Sequence, residues 1–360
     1  MKLIEVLNLQ QRNPLEILRQ RQSVGIFAEG CYSDGLYIEK KSKLIPKLSQ
    51  LSKYPIIPVF IFGIENLNWK EILLRRRRVV IIYGEPIYVK EKIPEQEAEK
   101  QVNHALLDTR LRFIKLIHGE EKNFWNGYAQ FYHYLERAKP YQDLVNEFDK
   151  NIPSVIKGKW IDLGSGSGMI VDLLLKKINN PQSAEILATD FDKTMLGHLS
   201  KRLNNNNLKI KELDLAMSFD LPDNYFDGVT ANLVLSYIIH HESELGLRGF
   251  TRLLEDIYKI LKPGGKFIWS SPRKGVIFAK VFLASWKDIL NPRQTENLYY
   301  GPAILKQALR IQNWGKRGIY HFLDTKEIEK ILKEIGFINI KFSRSMANQV
   351  DIISCEKPKL

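Results

Sequence analysis

Two cysteines in 360 residues, Cys31 and Cys355, leave no material for a disulfide framework or a four-cysteine zinc site. No cleavable leader is recognisable ahead of them, so a reducing, cytosolic compartment is expected. Long apolar runs are equally scarce. A membrane-crossing helix needs roughly 18 to 20 apolar residues; the best window, Tyr54 to Ile64, is about half that and holds Pro55 and Pro58. Histidine is also sparse, with seven residues and none before His104. Each shortage removes a class: disulfide-stapled module, cysteine-ligated metalloprotein, integral membrane protein.

What is present is ordinary globular material, 44% hydrophobic and 26% charged, long enough for two domains. The formal charge of +13 is spread along the chain. Diffuse positive charge suits anionic partners in general, lipid headgroups or nucleic acid, without choosing between them. The one dense run, Arg75 to Arg78, precedes the β-branched stretch Val79 to Tyr83 and reads first as a solvated edge before a strand. A phosphate or headgroup contact is the functional alternative.

Three textures follow one another. From Val24 to Val89, short apolar runs (Val24–Phe27, Ile56–Ile61, Val79–Tyr83) alternate with turn residues, predicting mainly strands. Residues 94–150 read mainly as helix, with a domain boundary in the Lys115 to Asn123 segment. From Lys159, strand and helix alternate as a parallel sheet with helical crossovers requires. The expected strands are Trp160–Leu163, Glu185–Thr189, Lys209–Leu213, Phe226–Ala231 and Lys266–Trp269, with Met169–Lys177 as the first helix. The Asn204 to Asn207 tetrad sits where a helix hands over to a strand and carries no functional assignment.

Asp162-Leu163-Gly164-Ser165-Gly166-Ser167-Gly168 is the strongest motif. A strand runs into a glycine turn that lets backbone pass under a ligand and offers amides at a helix start. By itself such a loop also suits a nicotinamide dinucleotide. The residues at later strand ends discriminate: Asp190, 22 residues past Gly168, then Asp214, then Asn232, with Leu261 to Lys266 as a turn into the fifth strand. Side chains at successive strand ends converge on the carboxyl edge of an open α/β sheet, where ligands bind. A crevice lined with acids repels a pyrophosphate and favours a cation.

On these residues, positions 120–358 resemble class I S-adenosylmethionine-dependent methyltransferases of the small-molecule type similar to quinone C-methyltransferases. The resemblance implies a Rossmann-like, mostly parallel seven-stranded sheet with helices on both faces, and S-adenosyl-L-methionine as cofactor. It implies that Asp162, Gly164, Ser165, Gly166 and Gly168 hold the methionyl part and that Asp190, with Phe191, holds the ribose. Asp214 and Leu215 would lie at the adenine, and Asn232 and Leu233 beside the methyl donor. The aromatic segment from Phe124 looks like the family's leading helix, offering Tyr128 or Tyr132 to the cofactor carboxylate; packing on the sheet is the bland reading of both.

Methyl transfer mostly requires positioning and exclusion of water, with a base only where the acceptor must lose a proton. Tyr237, His240 and His241, just past the fourth strand, are the candidates, against a plainer reading of the histidines as surface loop residues. The insertion from Pro272 to His321 holds Phe278, Phe282, Trp286, Tyr299, Tyr300, Trp314 and Tyr320. It serves either as an apolar lid over a lipid-like acceptor or as a cap on the sheet edge.

The amino-terminal part carries a second resemblance. Ser23 to Ser33, with Glu29 and Gly30, then Ile56 to Ile61 around Pro58, then Val79 to Pro86, look like the later half of a 1-acylglycerol-3-phosphate acyltransferase. That family's His-x-x-x-x-Asp is missing, since no histidine in the chain has an aspartate five places on. Ala28 and Tyr32 replace the expected Pro and Arg. The expectation is an incomplete α/β domain over residues 1–118, dead for acyl transfer: a remnant or truncated gene start, able at most to hold a lipid phosphate through Lys40, Lys41, Lys43 and the four arginines. Residues 119–360 would form the methyltransferase domain.

The leading expectation is methyl transfer to a small lipid-like or quinone-like acceptor, with peripheral contact to the inner, anionic face of a membrane. A non-catalytic lipid-surface module with a vestigial crevice, or a fragment of a bifunctional acyltransferase-methyltransferase, are the alternatives. Nucleic acid is disfavoured, because Ala231-Asn232-Leu233-Val234 stands where base and amide N-methyltransferases carry an Asn-Pro-Pro-Tyr-like motif. Nothing in the sequence speaks to oligomeric state.

Overall fold

The computed structural model describes residues 13–26, 44–64, 79–129, 138–284 and 295–359. It divides into two compact units, Met1–Gly119 and Glu120–Leu360. The segment Lys115 to Asn123, read as a boundary from sequence, lies inside one continuous helix, Glu95–Ala129.

In the first unit, helix α1 (Pro14–Arg19) starts where the Asn13 side chain accepts the Leu15 amide at 3.0 Å, with proline in its first turn. Helix α2 (Leu44–Ser52) and the antiparallel pair β1 (Val59–Phe62) and β2 (Val80–Tyr83) follow. The Phe60 and Phe62 rings pack on Phe113 of helix α3 (Glu95–Ala129). Val24–Ile26 form no strand, and Ile56 makes only an isolated bridge to Ile87. Cys31, Glu29, Gly30, Tyr32, the three lysines and Arg75–Arg78 lie outside the described residues.

The second unit is a seven-stranded sheet. Its strands are β3 (Gly158–Leu163), β4 (Ala184–Asp190), β5 (Leu208–Glu212), β6 (Phe226–Asn232), β9 (Leu261–Pro272), β10 (Ile338–Ser345) and β11 (Val350–Glu356), with a short separate hairpin of β7 (His240–His241) and β8 (Glu244–Leu245) between β6 and β9. Their order is β10-β11-β9-β6-β3-β4-β5, with the five from β9 to β5 parallel and β11 antiparallel to both neighbours. The chain enters at the middle with β3, fills one side, then crosses to β6, so the strand order reverses beside β3. That reversal opens a crevice at the carboxyl ends of β3 and β6.

Strand alternation loads both faces. In β3, Trp160 joins the core formed with helices α4 (Lys139–Asp149), α5 (Met169–Lys176) and α6 (Lys193–Arg202). Ile161 and Leu163 join the opposite core, with α7 (Gly246–Ile260) and α10 (Thr325–Ile335). Phe250, Leu253, Leu254 and Ile257 recur at helical spacing on α7, all fully buried. Asp324 and Glu327 form a capping box at the start of α10, and Gly336 closes it in a left-handed conformation. Leu261 to Lys266 is not a separate turn. It belongs to the twelve-residue β9, where pairing jumps from Phe226–Leu261 to Gly228–Lys266 across a bulge. The Asn204 to Asn207 tetrad is a stitched turn: the Asn205 side chain accepts the Asn207 amide at 2.8 Å and the Asn207 side chain bonds the Ala184 carbonyl at 2.6 Å.

Candidate active site

Asp162, Asp190, Asp214 and Asn232, at the ends of four strands, line one cavity with Gly164, Ser165, Gly166, Phe191, Leu215, Leu233, Tyr128 and Tyr237. The loop between β3 and α5 passes through three left-handed glycines, Gly164, Gly166 and Gly168. A Cβ on Gly164 would meet Val234 at 2.6 Å, so that position needs glycine for space as well as for φ. Gly168 caps α5 rather than lining the cavity.

The carboxylates are held from behind. Asp162, 2% exposed, accepts the Thr230 hydroxyl at 2.6 Å, while its backbone carbonyl accepts the hydroxyls of Ser165 and Thr189. Ser165 also accepts the Thr189 amide at 3.1 Å, so its hydroxyl is spent on the loop itself. Asp190 accepts the Gly166 amide at 2.9 Å and the Asp192 amide at 3.0 Å. Burial pushes the Asp162 carboxyl up to about 7, against the bond from Thr230 and helped by the charge of Asp190. Burial also raises Asp190, in spite of its two amide bonds. Two buried acids whose ionised forms are under-compensated call for a ligand that brings a cation and hydroxyl donors. An ammonium and a ribose diol satisfy them, and a pyrophosphate does not. By this test the residues fit S-adenosylmethionine.

Around this pair, the Asp214 carboxylate pairs with Lys122 at 2.6 Å and accepts the Ala216 amide at 3.0 Å. Lys122 lies 5.8 Å from the Phe191 ring centre. Ser270, which sequence reasoning passed over, donates to the Asn232 side chain at 2.6 Å and accepts the Leu233 amide at 2.9 Å, holding Leu233 in a left-handed conformation rare for leucine. Trp125, Tyr128 and Ala129 from the end of α3 complete this wall. Tyr132 lies outside the described residues.

The histidine expectation requires correction. His240 and His241 are buried, not surface loop residues, and neither lines the cavity. The β7–β8 hairpin tucks them inward. The two His241 ring nitrogens are taken up by protein contacts, with the Leu215 carbonyl at 2.8 Å and Asp256 at 2.9 Å, so neither is presented to the cavity. The His240 Nδ1 meets the Glu242 carbonyl at 3.2 Å. Of the three candidates, only Tyr237, in a 3₁₀ turn after β6, reaches the cavity.

The far end of the cavity is apolar: Phe278 and Val281 from helix α8 (Phe278–Ala284), Ile304, Leu305, Ala308 and Ile311 from helix α9 (Thr295–Lys316), with Ile238 and Met346. Of the aromatics expected here, Phe278 lines the cavity, while Trp314 and Tyr320 pack behind it. The side chains of Phe282, Trp286, Tyr299 and Tyr300 lie outside the described residues. Positions 304, 308 and 311 share one helix face, a repeat that was readable in the sequence but less conspicuous than the aromatics.

Residues 161–269 match the family model described as a methyltransferase domain. The chain is 24% identical over 199 residues to the demethylmenaquinone methyltransferase of Symbiobacterium thermophilum, a match spanning 53% of this chain and 73% of that protein. It is 26% identical over 227 residues to the ubiquinone/menaquinone biosynthesis C-methyltransferase of Rickettsia felis, spanning 59% and 81%. A solved S-adenosylmethionine-dependent methyltransferase from Aquifex aeolicus aligns over 62% of this chain and 91% of its own, at 14% identity and a TM-score of 0.38.

Proposed function

We propose that this S-adenosylmethionine-dependent methyltransferase passes the methyl group to a flat, apolar, quinone-like acceptor. One observation carries the reading: a single cavity joins the acid-lined strand ends to a wall of Phe278, Val281, Ile304, Leu305 and Ile311. The two relatives named for menaquinone and ubiquinone chemistry support it.

The bound cofactor supplies a methyl group activated by a sulfonium. In our reading Asp162 takes its ammonium and Asp190 its ribose hydroxyls, Phe191 and Asp214 with Leu215 border the adenine, and Asn232 and Leu233 border the donor. The ionised form of Asp162 gains most, because an ammonium offsets the charge that burial penalises. The apolar wall takes the acceptor by burial and keeps water from the transfer. Tyr237, on the cavity wall, is a side chain able to take a hydrogen bond from an acceptor hydroxyl.

Peripheral membrane contact belongs to the same proposal. Ile277, just before α8, Leu283 of α8 and Leu309 of α9 are exposed, as are Lys280 and Lys306 of the same helices. Among the described residues no helix is long and apolar enough to cross a membrane. The first unit we read as inert for acyl transfer, because the chain holds no His-x-x-x-x-Asp. Transfer of labelled methyl from S-adenosylmethionine to menadiol, in preference to polar catechols or peptides, is the expected result. Labelling of polar acceptors with none of menadiol would contradict the reading.

A further inference from the structure

We infer that Glu121 is a positioning residue for the acceptor: from behind the cavity wall its carboxyl fixes, through Tyr320, the aromatic face on which a flat acceptor lies. The inference rests on the acceptor reading above. Glu121 stands one helical turn before Trp125 on α3 and shares its face. The Tyr320 hydroxyl donates to Glu121 Oε2 at 2.8 Å. The Tyr320 ring, 1% exposed, lies 5.2 Å from Tyr237 and 6.5 Å from Trp125, and those two rings lie 4.9 Å apart. Trp125 and Tyr237 line the cavity, and Tyr320 locks them from behind.

Glu121 Oε1 is buried and has no hydrogen-bond partner among the described residues. A plain prop does not need a carboxyl in such a place. The Tyr320 hydroxyl is best met by the carboxylate, whereas a protonated carboxyl brings a second hydrogen into the same space. Burial pushes Glu121 up to about 7; the bond from Tyr320, the Arg310 charge and Trp125 pull it down, and Glu120 pushes it further up. Arg310 is itself stacked on Phe124 at 4.1 Å and Trp314 at 4.8 Å. The wall is therefore set near neutrality and loosens as the carboxyl takes a proton. Asp162 titrates in the same range at the other end of the cavity.

Equilibrium dialysis of menadione, which is uncharged, tests this without cofactor from about pH 5.5 to 8.5, a span bracketing the transition. Wild type is expected to bind about fivefold more tightly at the alkaline end, the worth of roughly one net hydrogen bond. Glu121→Gln and Tyr320→Phe bind weakly with a flat profile, Glu121→Asp recovers part of the slope, and Asp162→Asn keeps it. A flat wild-type profile, or a wild-type slope in Glu121→Gln, overturns the inference. S-adenosylmethionine binding by Glu121→Gln verifies its fold; if that is lost, Tyr320→Phe decides by the same criterion. Menadione bound without dependence on Glu121 overturns this inference alone, and menadione bound by no variant at any pH overturns the acceptor reading with it.

Discussion

The two ends of the cavity are built by opposite means. At the acid end, backbone amides and buried hydroxyls grip each carboxylate: Gly166 and Asp192 on Asp190, Thr230 on Asp162. At the apolar end, side chains of α8 and α9 contribute shape alone. The first end depends on single atoms and is intolerant of change; the second depends on summed area and degrades gradually. The acid end also costs the apo fold something, because two under-compensated carboxyls are buried there.

Breaking the acid end should therefore have the largest effects. Gly164→Ala forces a left-handed alanine against Val234 and is expected to cost about 3 kcal/mol of stability and to abolish cofactor binding, measurable by urea denaturation and calorimetry. Asp162→Asn sharpens the contrast between binding and stability. The folded-state value of about 7 lies above the usual carboxylate range. Between those values the folded state holds more protons, so the group's contribution to stability is lost as pH rises through that window. At pH 8 the apo variant should be more stable than wild type by about 3 kcal/mol while its cofactor affinity falls at least tenfold.

Asp190→Ala should weaken S-adenosylmethionine by about 1–3 kcal/mol and leave menadione binding unchanged. Val281→Ala, at the other end, should reverse the pattern, weakening menadione about three- to tenfold with cofactor affinity intact, since both γ-methyl groups are removed from the wall. Lys122→Met should have the smallest effect, under about 1 kcal/mol on cofactor binding, because its pair with Asp214 is partly exposed. If Lys122→Met proved as severe as Asp190→Ala, the contrast between gripped and solvated carboxylates would fail.

The acid end was readable in the sequence because its chemistry admits few residue types: glycines where φ is positive, carboxylates at strand ends, in the order the sheet demands. The alternation from Lys159 placed five strands, but the twelve-residue span of β9 was hidden, since Pro263-Gly264-Gly265 reads as a turn and folds as a bulge. The histidines misled because a two-residue hairpin strand turns His241 under α7 onto Asp256, a contact that periodicity does not encode. The apolar wall was half visible: aromatics drew attention to the insertion, while Val281, Ile304 and Ile311 do the lining. Glu121 and Tyr320, 199 positions apart, meet only through the tertiary fold.

Calorimetric titration with S-adenosylmethionine and, separately, with NADH tests the central claim most directly, because the two ligands differ in the charge they bring to Asp162 and Asp190. One saturable site for S-adenosylmethionine, weakened in Asp190→Ala, with no heat from NADH, is the predicted result. Binding of NADH in that cavity, or S-adenosylmethionine binding indifferent to Asp190, would contradict it.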